Sequence, residues 1–453
     1  MSLLERVGLS RNAPPLRRCQ GRVVLTVFVT YASYYFCRQN IAAALPAMES
    51  ELGLSKSGLG QITMALFLGY GFGQIFFGLL SDRFGVRYLL LLGMLTSSAL
   101  NVAFALSRPV VPMIVLWGLN GVFQASGMPA CAKTIANWFT PAQRGRVQAI
   151  RGTDYPTGAL LITLLSGYLV QYHGWRWAFF VPAGLLAVSA VHTFVRLRGS
   201  PEQVGLPPVE RHTAPRASPR LGIPQRSACA PVGGADEEEM SRPERDDFVG
   251  WRYVLGKSLG NWRIWALALS FFGVTVNRYG FGIWCIAYLA DQGAGIAQAA
   301  VVTSVILVGG IAGILLAGYA SDTWLGQRRA PVIVVQLAAL AVLTALFPVV
   351  PVARTGLLVA YLLAVGFCTY GPDMMMCQTM AMDLATRKAT ATAGGFIDAV
   401  GSVGAALTVA LSGYLVDAVG WEPAMYLWAG GALMAAVFVA PLWNYRAGSG
   451  TYH

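Results

Sequence analysis

The sequence predicts an all-α polytopic membrane protein with twelve transmembrane helices in two pseudo-symmetric six-helix halves, and three observations carry that expectation. Hydrophobic residues fill 55% of the 453 positions and charged residues only 12%, far from the composition of a soluble domain. Apolar runs long enough to cross ~30 Å of hydrocarbon recur from Val23 to Trp443, without the alternating pattern of a membrane barrel. The halves also repeat: Ser166-Gly-Tyr-Leu-Val170, then Gly174-Trp175, returns as Ser412-Gly-Tyr-Leu-Val416, then Gly420-Trp421.

Taken in order, the spans are expected at 22–46, 58–81, 88–107, 110–139, 146–171 and 176–196, then at 262–289, 299–320, 330–350, 355–384, 390–417 and 423–443. The organisation that follows is a cytoplasmic N-terminus (1–21), an N-terminal half (22–196), a cytoplasmic and partly disordered linker (197–261), a C-terminal half (262–445) and a cytoplasmic tail (446–453). The linker is rich in Pro, Arg and Ser and carries the acidic run Asp236 to Glu239, a composition that cannot bury a core. Residues 1–21 carry Arg6, Arg11, Arg17 and Arg18 and lead into a span with no small-residue cleavage site, so a retained segment is expected.

Orientation is read from the loops. Arg83, Arg87, Arg144, Arg146, Arg328, Arg329, Arg387 and Lys388 share one side with the N-terminus, while Lys56, Arg108, Arg176 and Arg354 are sparse on the other. The positive-inside rule then puts both termini in the cytoplasm, and a bacterial-type inner membrane is the expected location. The net charge of +12 is spread over loops and linker, which argues against nucleic acid as a partner. Seven cysteines (Cys19, Cys37, Cys131, Cys229, Cys285, Cys368, Cys377) show no metal or redox spacing. No Walker loop, nucleophile triad or metal cluster is present, so no enzyme activity, cofactor or metal is expected.

The strongest anomaly is Arg38, inside the first span in Tyr31-Ala-Ser-Tyr34-Tyr35-Phe-Cys-Arg38. A charge at mid-bilayer costs about 2.5–3.5 kcal/mol or more and needs compensation. Its counterpart is Arg278, beside Tyr279 in the first span of the second half. Two arginines facing each other across a pseudo-twofold axis make a clamp for a divalent anion, because guanidinium forks match phosphate oxygens. The alternative is permanent pairing with a buried carboxylate, Asp373 or Asp398.

Gly78-Leu-Leu-Ser81-Asp82-Arg83-Phe84-Gly85-Val-Arg87 joins spans two and three, with a degraded copy from Gly318 through Asp322 to Arg329. This resembles the signature loop of the major facilitator superfamily. Asp82, Arg83, Arg87, Arg144 and Asp322 are accordingly expected in gating contacts between the halves, with Gly78 allowing close helix approach. Lys133 reads as a snorkelling or gating cation, and Asp373 and Asp398 as structural or gating acids.

Within that superfamily the chain resembles the organophosphate:phosphate antiporters. The match rests on Tyr31 to Asn40, on Met128 to Lys133 continuing through Asn137-Trp138-Phe139 to Gly145, and on Ser200-Pro-Glu-Gln-Val-Gly205-Leu-Pro207-Pro208. The resemblance implies that Arg38 and Arg278 hold a phosphoryl group, with Tyr31 and Tyr35 lining the same cavity. It departs where the family carries Lys, at Gln39 and Gln74, and where a family His stands, at Tyr155. Arg151 and Asp154, three residues apart, make a charged pair that either closes on itself or touches substrate, and this pair is where the chain's own specificity is expected. Pro156 is expected to kink the fifth span.

The implied function is exchange of an organophosphate (a phosphorylated three-carbon compound, a sugar phosphate or a phosphonate) for inorganic phosphate. It proceeds by alternating access of a monomer in the lipid bilayer. Two alternatives stay open: a proton-coupled organic-anion symporter, and a transporter-like sugar-phosphate sensor.

Overall fold

The computed structural model describes residues 15–140, 143, 147–148, 150–206, 209, 260–323, 328–384 and 390–445. Every regular element among them is helical. Among the described residues, nine helices are long and apolar enough to cross a membrane, from Lys56–Gly78 to Trp421–Leu442. Three more crossings complete the twelve: Pro15–Tyr34 continued by Ile41–Leu52, Asp154–His173, and Trp262–Asp291. By the alternation of crossings, Pro15, Arg196, Trp262 and Tyr445 share one face, termed the linker face; the opposite face, which carries the turn between Leu52 and Lys56, is termed the loop face.

The repeat seen in the sequence is a packing repeat. Gly69 and Gly73 of the second span lie against the backbone of Gly118 and Val122 in the fourth, so closely that a Cβ at either glycine would strike main chain. Gly309 and Gly313 of the eighth span lie the same way against Leu363 and Phe367 in the tenth. Both pairs are separated by 240 residues, since 309 − 69 and 313 − 73 agree. Within a bilayer, small residues let helix backbones approach and gain dispersion contact that larger side chains would block. Gly78, expected to serve the same purpose, does not: a Cβ there meets open space.

Three spans expected to be continuous are broken. The first ends its α-helix at Tyr34, passes through a 3₁₀ turn at Tyr35–Cys37, and restarts at Ile41. The fourth breaks between Val110–Gln124 and Gly127–Trp138, and the fifth turns at Gly152 and Thr153 before Asp154–His173. Pro156 therefore stands in a first helical turn, where its missing N–H is harmless, and does not kink a helix interior. The tenth span contains Pro372 and runs into a π-helical segment, Met375–Met380.

The beginning of the expected linker is ordered. After Arg196 the chain folds through Pro201–Val204 against the fourth span, where Asn137 Nδ2 donates to the Gly199 carbonyl and Trp138 Nε1 to that of Arg198. These bonds anchor the residues just before Ser200, where one stretch of the family resemblance begins, to Asn137 and Trp138 of another. Arg144, residues 207–208 and 210–259 of the linker and the tail 446–453 lie outside the described residues, as do the side chains of Asp82, Arg83 and Asp322.

Candidate functional site

The break in the first span is held by amides from its own half. A helix that stops inside the membrane leaves carbonyls that water cannot reach. The Cys37 carbonyl accepts from Asn120 Nδ2 at 2.9 Å and Asn101 Nδ2 at 3.4 Å. Asn40, at the restart, donates to the Asn101 side chain and to the Ala178 carbonyl. Ser97 and Gln124 extend the network. Its effect is to fix Arg38 at a bend, with its side chain directed between the halves.

There Arg38 lines a small cavity of about 60 Å³. Tyr31, Tyr35, Tyr155, Arg278 and Tyr279 share that lining, together with Asp373 and Asp398. The two arginines are not equivalent. Arg278 is paired: its Nη1 reaches both oxygens of Asp373, at 3.0 and 3.1 Å, and its guanidinium lies over the Tyr155 ring at 4.7 Å. The Tyr155 hydroxyl donates to the same carboxylate at 2.8 Å, while Tyr35 accepts from Arg278 Nη2 at 3.4 Å. Arg38 is 5% exposed and stacks on Tyr70 at 4.2 Å and Tyr35 at 4.9 Å, but its Nε and Nη2 have no hydrogen-bond partner. No carboxylate of the described residues lies within 4 Å of it.

Other expected site residues fall elsewhere. Gln74 donates to Asp398 Oδ2 at 2.8 Å, joining the second and eleventh spans, and is outside the cavity lining. Arg151 and Asp154 do pair, at 3.9 Å, but behind the wall: Arg151 sits over the Tyr31 ring and donates to Gln148 and to the Met128 sulfur. Asp154 accepts from the Tyr155 backbone N–H at the start of its helix, where a carboxylate is favoured by the macrodipole. The pair supports Tyr31, Met128 and Tyr155 and is not part of the cavity lining. Arg87 donates to the Phe194 carbonyl and stacks on its ring, and Lys133 donates to the Ser81 carbonyl, both acceptors lying in the same half.

Sequence reasoning missed Tyr70, whose ring carries Arg38, and the contacts that shut the loop face. There Lys56 pairs with Glu49 and, across the halves, with Asp291. Asp417 of the eleventh span accepts from the backbone N–H groups of Lys56 and Ser57, capping the second span from the opposite half. Gln39, at a position where the resemblance expects Lys, donates to the Gly282 carbonyl and adds a further tie between halves.

The family model of the Major Facilitator Superfamily matches residues 27–372 and 267–449. The chain belongs to this superfamily. Among curated members, it is 30% identical to the "Probable hexose phosphate transport protein" of Chlamydia muridarum (strain MoPn / Nigg), over 93% of this chain and 91% of that one. It is 29% identical to the "Glycerol-3-phosphate transporter" of Bacillus subtilis (strain 168), over 97% and 96%. A superfamily fold is also found in the solved structure of a bacterial homolog to the human lysosomal transporter Spinster, in an inward-facing and occupied conformation. That structure matches with TM-score 0.69, 15% identity, and coverage of 95% of this chain and 97% of the other.

Proposed function

We propose that this chain is a secondary transporter that exchanges an organophosphate or phosphonate for inorganic phosphate by alternating access. The observation that carries the reading is Arg38, a buried guanidinium with two unpartnered nitrogens, Nε and Nη2, held at a helix break on the wall of a cavity between two halves. A permanent cation that is desolvated and lacks a carboxylate calls for an anion from outside the fold. The names of the relatives, a hexose phosphate transport protein and a glycerol-3-phosphate transporter, point to a phosphoryl group.

In this reading a phosphoryl group seats first on the Arg38 fork. Arg278 then exchanges its Asp373 contact for a second phosphoryl oxygen, drawing the halves together. Asp373 stands in for the substrate on Arg278 when the site is empty, so the clamp proposed for two bare arginines is one bare arginine and one pre-paired arginine. The linker face is the cytoplasmic one, and the loop face is closed in this conformation by the Lys56, Asp291 and Asp417 contacts.

Counterflow in proteoliposomes tests the proposal. Vesicles loaded with inorganic phosphate should take up glycerol-3-phosphate or hexose phosphate many times faster than empty vesicles, with no imposed pH gradient. Uptake that ignores internal phosphate and follows a pH gradient would instead mark a proton-coupled symporter.

A further inference from the structure

Four charged side chains share the cavity: Arg38 and Arg278, Asp373 and Asp398. Their formal charges cancel, but their pairing does not. Arg278 and Asp373 satisfy each other at 3.0 Å. That leaves Arg38, on the first half, and Asp398, on the second, without a direct ion pair: each acts on the other only across the cavity, and among the described residues the Asp398 carboxylate accepts a hydrogen bond from the neutral amide of Gln74. The cavity lining is also aromatic, with Tyr70 under Arg38 and Phe67 against Tyr279 at 4.4 Å.

Resting on the organophosphate reading of this cavity, we infer that its preferred substrate is zwitterionic, a phosphate monoester or phosphonate whose organic end carries an ammonium group. The phosphoryl group binds Arg38 and the ammonium binds Asp398. In a buried cavity, a carboxylate without a direct ion pair gains far more from a cation than from a hydroxyl, because Coulomb attraction grows as the local dielectric falls. Aromatic faces add attraction for an ammonium and none for a hydroxyl. A simple dianionic ester would bring two negative charges into a site whose own charges already sum to zero and would face Asp398 with like charge. An aminoalkyl ester engages both unpaired groups and links the two halves through one molecule.

Matched ligands separate this inference from the reading beneath it. Full-length protein in proteoliposomes would be assayed for inhibition of labelled phosphate exchange by ethyl phosphate, 2-hydroxyethyl phosphate, 2-aminoethyl phosphate and 2-aminoethylphosphonate. The amino compounds should inhibit at concentrations at least tenfold lower than 2-hydroxyethyl phosphate. Asp398→Asn should collapse that ratio to about one, and Asp398→Glu should keep part of it. Equal or better inhibition by 2-hydroxyethyl phosphate in the wild type overturns the inference and leaves the organophosphate reading standing. So does an amine preference that survives in Asp398→Asn. Should the variants fail to fold, the wild-type comparison of the matched pair decides alone. If no phosphoryl compound competes, the transport proposal itself falls.

Discussion

At the scale of single residues, the difference between the two arginines organises the site. Arg38 offers a fork with open N–H groups, and replacing it by Lys keeps the charge but removes the bidentate geometry. Losing about 2 kcal/mol of charge-assisted bonding corresponds to roughly 30-fold weaker phosphate binding, which titration calorimetry on Arg38→Lys in detergent would measure. Wild-type affinity in that variant would exclude the fork. Asp373 makes the complementary case, since removing one partner of a buried pair costs about 3–5 kcal/mol by stranding the other. Asp373→Asn is therefore expected to lower the melting temperature in phosphate-free buffer. It should also show a larger rise on adding phosphate than the wild type, because phosphate then replaces the missing carboxylate on Arg278. An unchanged phosphate-induced rise would mean that the anion never reaches Arg278. Both arginines were legible in the sequence, because a guanidinium in an apolar run is anomalous whatever surrounds it. Tyr70 was not, because a tyrosine between glycines is unremarkable until Arg38 is found on its ring.

At the scale of elements, the broken first span and the glycine contacts decide the architecture of the cavity. The sequence reads 22–46 as one helix because nothing in the apolar run marks a stop. The break is stable only because Asn101 and Asn120, 64 and 83 residues away, take the freed carbonyl of Cys37. Asn120→Ala should cost about 1–3 kcal/mol, the penalty of a buried acceptor losing a partner. It should also weaken phosphate binding, because the bend that aims Arg38 relaxes; thermal unfolding and calorimetry on the same sample report both. Glycines divide more sharply. Gly73→Leu should abolish folded protein in size-exclusion chromatography, since its Cβ alone strikes the Val122 carbonyl, whereas Gly78→Leu should elute as wild type, since its Cβ meets open space.

At the scale of the whole molecule, the loop face is closed by contacts that exist in only one arrangement of the halves. Asp417 caps the second span across the interface, and Lys56 reaches Asp291. A cap is worth about 1 kcal/mol, so Asp417→Ala should shift the balance toward a conformation open at this face by about fivefold. Pulsed EPR between spin labels on Glu51 and Gln292 would read the longer-distance population; an unchanged distribution would show that the cap carries no conformational energy.

By itself the sequence determined the twelve crossings, the 240-residue repeat and the two membrane-embedded arginines. Each follows from local properties, hydrophobic length, self-similarity and the cost of a charge in hydrocarbon, that need no knowledge of neighbours. Tertiary structure alone decided which arginine is already paired, that Gln74 serves Asp398, and that Arg151 and Asp154 support the wall from behind. Those outcomes depend on contacts such as the one between Gln74 and Asp398, 324 residues apart. Chain separation carries no information about which helix faces turn together, and a charge takes the partner that packing brings within reach.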